Sequence, residues 1–435
     1  MYSSANKRLS LILVFGFLLN FVPPHLVKAE TNLTFTVNTT DDGADFVTNG
    51  KCSVGSIVGG LCSIRAAVSE AYWNLPYGNM VINIPSGEYV MTIPPVSGND
   101  VHSGDLNIPS ISSTYSITIN GVGEEPAVID ANGLDRVFNI GSGVNIVFNN
   151  VIIQGGYLAA TESGIWGAGI FNYGNLDLNH VVIKNNVLEC GLPSCDFWMH
   201  GGGLYTSGGT VNISASSIQH NTSPASSAIY HATGTLILDH SDVTNNISTN
   251  AYTIQNYGNL YIRNSTIAGN TSTHFSGIEN YGILSIAAST IANPGILGAI
   301  GHFYGSVFIS DSILMAVPNT EGTSYNCFLS GDPEWVSLGH NIFSDDSCPG
   351  TGVEDLVNTD PKLGVLGHWG GPTLTIPLLQ GSPAIDHRDG VCQYHTGEVV
   401  VDDQRYFPRN DGMCDTGAYE GFIYENQVFL PLVLK

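Results

Sequence analysis

One unit recurs through the middle of the chain, and it limits the fold more than any other feature. It reads apolar residue, Tyr/Asn-rich turn, Gly, apolar-x-apolar, Ser/Thr-apolar, Asn. The clear copies are IFNYGNLDLNHVVIKNN (170–186), LYTSGGTVNISASSIQHN (204–221), IYHATGTLILDHSDVTNN (229–246), IQNYGNLYIRNSTIAGN (254–270) and IENYGILSIAASTIAN (278–293), with weaker ones at 137–156 and 300–316. One equivalent apolar position falls at Ile153, Ile183, Ile218, Val243, Ile267, Ile291 and Leu314, in steps of 30, 35, 25, 24, 24 and 23 residues. The two long steps hold insertions, one near Gly155–Ile165 and one carrying Cys190 and Cys195. Within each unit apolar residues alternate (Leu176/Leu178, Val211/Ile213, Leu236/Leu238, Leu260/Ile262, Leu284/Ile286, Val307/Ile309), and a period of two means strand. The unit is too short for a propeller blade of about 40 residues and lacks the helical and leucine-rich signatures. It fits one coil of a parallel β-solenoid with three short strands, each coil stacking on the last at about 4.8 Å.

The asparagines follow the same period. Asn186, Asn221, Asn246 and Asn270 end successive units. Asn tolerates the left-handed conformation of a tight corner, and stacked Asn side chains hydrogen-bond from coil to coil as a ladder. Asn221, Asn246, Asn264 and Asn270 also open glycosylation triplets. Because the positions track the repeat, a corner ladder is the preferred reading.

Lys7 and Arg8 precede an apolar run from Leu9 to Val22, and Val27-Lys28-Ala29 offers a small-residue cleavage site. This is the pattern of a secretory signal peptide over residues 1–29, and the run is short for a membrane span. Eight cysteines follow, in four tight pairs: Cys52/Cys62, Cys190/Cys195, Cys327/Cys348 and Cys392/Cys414. Eight cysteines permit 105 connectivities; nearest-neighbour pairing is the economical reading in an oxidising compartment. The chain carries 13 basic and 37 acidic residues, a net charge of −24. Removing residues 1–29 takes away Lys7, Arg8 and Lys28 and no acid before Glu30, leaving −27. Nucleic acid is thereby excluded as the main partner, since phosphate neutralisation needs Lys and Arg.

Residues 35–74 resemble the CSLREA domain of bacterial surface and secreted proteins. The core match is Cys62-Ser63-Ile64-Arg65-Ala66-Ala67-Val68, with Ala66 where the family has Glu. Ser63 is the expected N-cap and Ala66 the N3 position, so half of a capping box is missing. Ile64, Ala67, Val68, Ala71 and Leu75 recur at helical spacing, as expected of a helix covering the first coil. Residues 81–93 and 116–132 resemble the opening coils of right-handed β-helix proteins, and the middle copies resemble the repeats of chlamydial polymorphic outer-membrane proteins. Residues 359–420 resemble the choice-of-anchor Q domain at Gly370-Gly371-Pro372-Thr373, Gly381-Ser382-Pro383-Ala384-Ile385-Asp386 and Asp415-Thr416-Gly417-Ala418-Tyr419-Glu420. The tail QVFLPLVLK (427–435) is similar to those of some bacterial surface proteins and is not a sortase signal. The resemblances imply an all-β, single-stranded right-handed parallel β-helix of the pectate-lyase-like kind, with a short N-terminal capping helix. The expected layout is a signal peptide at 1–29, a cap at 30–80, repeats at 81–325, C-terminal coils at 326–420 and a tail at 421–435.

Such scaffolds also carry polysaccharide lyases and hydrolases, so fold does not decide activity. Asn358-Thr359-Asp360 and Asp402-Asp403 stand without the Gly-His-Gly and Arg-x-Lys that a hydrolase of the polygalacturonase kind resembles, and between 137 and 316 the only basic residues are Lys184 and Arg263. No catalytic, cofactor or metal residue is assigned. The carboxylate clusters Asp41/Asp42/Asp45, Asp345/Asp346 and Asp402/Asp403 read as solvated loop charge, weak Ca²⁺ binding at one of them being the minor reading. Arg405 and Arg409 are expected to pair locally with Asp402, Asp403 and Asp415. His200, His220, His231 and His240 read as polar surface at turns, and Gly201-Gly202-Gly203 as a repeat turn rather than a phosphate loop. Trp166, Tyr173, Tyr205, Tyr230, Tyr257 and Tyr281 fall near corresponding turns. Facing out, they would form a strip for stacking on sugar rings or a partner; facing in, a stack that fills the core, which is the favoured of the two. The expectation is a secreted or cell-surface adhesion or binding protein, monomeric and not membrane-spanning, with a cell-surface glycan or protein ligand. A polysaccharide lyase or glycoside hydrolase, or a purely structural spacer, is the alternative.

Overall fold

The computed structural model describes residues 32–423 apart from 56–59, 97–100, 161–163, 192–198, 273–276, 295–296, 318–323, 332, 351 and 410–411. The expected signal peptide, Cys195 and the tail 427–435 therefore lie outside the described residues.

The chain is a parallel β-helix. Each full coil supplies one strand to each of three parallel sheets. The first sheet holds Phe138–Ile140, Ile170–Asn172, Ile254–Asn256 and Ile278–Asn280 among others; the second holds Asn145–Asn149, Asn175–Asn179 and Asn259–Arg263; the third holds Val151–Gln154, Val182–Lys184 and Asp242–Thr244. Leu204–Ser214 and Ile229–Asp239 run unbroken from the first sheet into the second. The third-sheet register places Ile153 beside Ile183, then Ile218, Val243, Ile267, Ile291 and Leu314 in one continuous file. All seven are buried. Like residues sit over like because the apolar face must point inward in every coil, and a one-residue slip would turn that face outward.

Two corners close each coil, and each has its own device. Between the second and third sheets one residue per coil is left-handed: Asn150, His180, Ala215, His240, Asn264, Ala288, Asp311 and His340, with φ between 42° and 57°. Just past this corner runs a buried serine ladder that sequence reading had folded into "Ser/Thr". The backbone N–H of Ser216 donates to Ser241 Oγ at 3.1 Å, Ser241 to Ser265 at 3.1 Å, Ser265 to Ser289 at 3.2 Å and Ser289 to Ser312 at 3.2 Å. After the third sheet comes the asparagine file. Asn186 Nδ2 donates to Asn221 Oδ1, Asn221 to Asn246, Asn246 to Asn270 and Asn270 to Asn293, each at 3.0 Å. These asparagines are not the left-handed residues, which corrects the expectation: Asn185, His220, Asn245 and Gly269, one position earlier, carry positive φ. The preceding residue turns the chain, so the ladder side chain is free to point inward.

The helix Ile64–Asn74 packs on the first coils; Ser63 caps it by accepting from Ala66 N at 3.0 Å. Arg65 within it is fully buried and paired with Asp42 at 2.6 Å. At the other end, residues 359–423 return as a strap along the corner between the second and third sheets. Leu374 N donates to Asp242 Oδ1 at 3.0 Å, Ala418 N to Thr290 Oγ1 at 3.1 Å, and Arg388 holds Asp311 at 2.9 Å. Disulfides join Cys52–Cys62, Cys327–Cys348 and Cys392–Cys414, and Cys190 is also disulfide-bonded. Among the described residues no helix is long and apolar enough to cross a membrane.

Candidate functional site

Neighbouring residues of a strand point to opposite faces. In the first sheet Ile170, Leu204, Ile229, Ile254, Ile278 and Ile300 point inward and are wholly buried. The next residue of each strand must then point outward. Register makes these outward residues one straight row: Asn107, Asn139, Phe171, Tyr205, Tyr230, Gln255, Glu279, Gly301, Phe328. At about 4.8 Å per coil the row is about 38 Å long.

The favoured expectation of an inward aromatic stack is thus overturned. All six predicted aromatics lie outside the coil: Leu204 and Ile229 take the inward positions beside Tyr205 and Tyr230, and buried Asn172, Asn256 and Asn280 precede Tyr173, Tyr257 and Tyr281. Their rings form one ribbon. Trp166 lies 5.8 Å from Tyr205, and Tyr173 meets Phe171 edge-on at 4.9 Å. Phe171 stacks on Tyr205 at 4.9 Å, and Tyr205 on Tyr230 at 5.4 Å with an interplanar angle of 8°. Tyr230 then reaches Tyr257 at 5.6 Å, Tyr257 stacks on Tyr281 at 4.7 Å, and Tyr281 on Phe303 at 5.2 Å. The ribbon opens to solvent at Tyr173, 39% exposed, Tyr257, 43%, and Tyr304, 70%, whereas Tyr205 is buried.

Gln255 and Glu279 interrupt the row with polarity. Tyr281 OH donates to Glu279 Oε1 at 3.0 Å, and the Gln255 amide donates to the other carboxylate oxygen. His200 stacks on Tyr230 at 4.3 Å and meets Gln255 Oε1 through Nδ1 at 2.8 Å. Burial pushes the Glu279 carboxyl up. Burial, then Tyr173, pushes Tyr205 up to about 12, and burial with the Glu279 charge raises Tyr257 and Tyr281, so these phenols stay neutral.

A cleft of about 380 Å³ opens at the N-terminal end of the row, lined by Asn107, Arg136, Asn139, Trp166, Phe171 and Tyr173 among others. Arg136 lies over the Phe171 ring at 4.9 Å, and its Nε faces Asp105 Oδ2 at 3.1 Å. Burial pushes Asp105 up to about 7, with Arg136 pulling down, Asp135 pushing up and Arg65 pulling down. A second cleft of about 500 Å³, lined by Phe303, Tyr304, Ser330, Pro333 and Glu334 among others, lies at the far end.

The other candidates serve structure. Gly202 is glycine because a Cβ there would sit 2.6 Å from the Ser227 carbonyl and 2.7 Å from that of Thr222 in the next coil. His231 and His240 are buried rather than surface residues. His231 stands in a first-sheet strand, where burial pushes it down to about 4. His240 sits between Asp239 at 3.0 Å and Asp402 of the strap at 3.1 Å, under the Tyr406 ring at 4.3 Å. Of the carboxylate clusters, Asp42 holds Arg65, Asp45 accepts from Val47 N and Ser53 N, Asp345 accepts from Asn326 N, and Asp403 holds Arg405 at 2.6 Å. Arg409 forms its ion pair with Glu420 at 2.6 Å and reaches Asp402 and Asp415 through their backbone carbonyls, at 3.2 and 2.8 Å. Among the described residues no three His, Cys, Asp or Glu side chains gather as a metal site. Sequence reading missed Asn107, Asn139, Asp105, Arg136 and Glu279; the alternation Ile-Phe, Leu-Tyr, Ile-Tyr, Ile-Gln, Ile-Glu was the signal that could have found the row.

Fold and site together define a parallel β-helix with an aromatic groove along one sheet. No family model, no curated protein and no solved structure matches the chain.

Proposed function

We propose that this is a secreted, surface-associated binding protein that holds a glycan chain along the aromatic ribbon of its first sheet. The observation that carries the reading is the run of outward rings from Trp166 to Phe328, spaced by the coil repeat and open to solvent at Tyr173, Tyr257 and Tyr304. Sugar rings present apolar faces that pack across the exposed edges of such a stack of rings while their hydroxyls reach polar neighbours such as Gln255 and Asn139. The net charge of −24 disfavours a polyanionic chain. Disulfides support an oxidising compartment, and the resemblance of residues 35–74 and 359–420 to CSLREA and choice-of-anchor Q domains supports attachment at a bacterial surface. A glycan array with purified protein, followed by calorimetry, tests the reading. Tyr230→Ala is expected to weaken the best ligand by tenfold or more. A ligand whose affinity ignores Tyr230 and Tyr257, or turnover of a polysaccharide, would overthrow it.

A further inference from the structure

The asparagine pairs of neighbouring coils are saturated by one another almost everywhere. Asn149 donates to Asn120 at 2.8 Å, Asn179 to Asn149 at 3.0 Å and Asn175 to Asn145 at 2.7 Å. Asn107 and Asn139 stand in the same relation in the first sheet. Yet Asn107 Nδ2 has no hydrogen-bond partner, although the residue is only 2% exposed. A buried donor left unmade is costly, and this one lines the cleft at the end of the ribbon. Arg136 lines the same cleft. Its Nε is turned to Asp105, its backbone N–H donates to Asp135, and its Nη1 and Nη2 make no hydrogen bond within the described residues. The open polar capacity is therefore made of donors, beside Trp166 and the edge of Phe171, whose faces are covered by Arg136 and Tyr205.

We propose that this cleft is an end subsite for a single carboxylate-bearing sugar, its ring against Trp166 and its carboxylate on the Arg136 fork and the Asn107 amide. The proposal rests on the glycan-binding reading and adds to it the chemistry of one terminal residue. The guanidinium fork matches a carboxylate with two parallel bonds, which a hydroxyl cannot use. Asp105 Oδ2 lies 3.1 Å from Arg136 Nε without making a hydrogen bond to it, so this nitrogen too is an unused donor.

The test uses the folded chain and pairs of oligosaccharides that differ only in a terminal uronate against its carboxyl-reduced sugar, with an acidic peptide as a carboxylate lacking the ring. The uronate member is expected to bind about tenfold or more tighter in the native protein. Asn107→Asp, which has the same volume but turns a donor into an acceptor, and Arg136→Gln are each expected to abolish that preference while leaving the neutral member bound. Asp105→Asn leaves Arg136 without its internal partner and is expected to enlarge the preference. Where Arg136→Gln does not fold, Asn107→Asp carries the test. Equal binding of the pair, a preference that survives in both variants, or equal binding of the acidic peptide overturns the proposal and leaves the ribbon intact. Failure of every glycan to bind overturns both.

Discussion

Replacing Asn246 by alanine asks whether the asparagine file holds the coils together or only decorates them. Asn246 Oδ1 accepts from the Asn221 backbone N–H at 2.9 Å and from Asn221 Nδ2 at 3.0 Å. Its own Nδ2 donates to Ile218 O at 2.9 Å and to Asn270 Oδ1 at 3.0 Å. The residue is fully buried. Alanine strands the Asn221 N–H outright, whereas the Asn221 amide keeps its bond to Ile183 O at 3.0 Å. One stranded N–H, one half-stranded amide and three acceptors that lose a donor (Ile218 O, Asn270 Oδ1 and Thr244 O, the last at 3.1 Å) sum to about 3–5 kcal/mol, at about 1–3 kcal/mol for each fully unmade group. A water entering the vacated space finds those same polar partners and brings the loss toward about 2 kcal/mol. Asn175→Ala is the control, because its bonds to Asn145 and from the Thr210 N–H are both exposed and solvent replaces them; the expected loss is below about 1 kcal/mol. Urea unfolding with disulfides intact reads both as midpoint shifts at constant slope. If Asn246→Ala costs no more than Asn175→Ala, the file contributes nothing beyond solvent-exposed pairing and the reasoning fails.

Two further outcomes concern charge. For His240, burial pulls the pKa down, but Asp239 on its own strand and Asp402 on the strap outweigh it, and the net shift is upward; Tyr406 covers the ring. A raised histidine stabilises fully below its unfolded value and loses that contribution as pH rises through the folded one, so the strap should become easier to cleave by protease as pH rises above about 6.5, and His240→Gln should flatten the dependence. Asp105 is raised to about 7 from 3.8, so the native state holds an extra proton between these values and stability falls as pH climbs through that window; Asp105→Asn should raise the melting temperature at pH 8 more than at pH 5, and equal shifts would refute the assignment.

The coil was legible because burial acts on every unit alike. The file Ile218, Val243, Ile267, Ile291, Leu314 could be aligned by eye, and the register follows it. The direction of the aromatics was equally present in the sequence, in the alternation of Leu204 with Tyr205 and Ile229 with Tyr230, but tyrosine suits both a core and a surface and masked the rule. The strap was not legible. Its bonds join residues far apart in sequence, such as Thr266 Oγ1 to Gln404 Oε1 at 2.6 Å, and no periodicity announces them. The cleft was missed because Asp105, Asn107 and Arg136 lie in or before the weakest copies of the repeat, where irregular loops break the pattern.

The way the chain treats its three sheets argues that the ribbon is there to be used. Outward apolar and polar residues of the second and third sheets lie under the strap. Tyr261 and Phe308 stack against His395 at 5.5 and 6.0 Å, Thr266 bonds Thr375 and Gln404, and Ile313 joins a core cluster with Leu378 and Tyr419. The strap's long-range hydrogen bonds fall on those two sheets and the corner between them. The outer side of the first sheet carries the aromatic ribbon; Tyr252 covers it at Gly301 and Tyr205 is buried, but it is open to solvent at Tyr173, Tyr257, Tyr304 and Phe328. Contiguous exposed apolar surface is a liability unless something binds it. A fold that returns some sixty residues across two faces has the means to cover a third, yet ring edges stay open beside this row at Tyr173, Tyr257 and Tyr304, between clefts with polar groups.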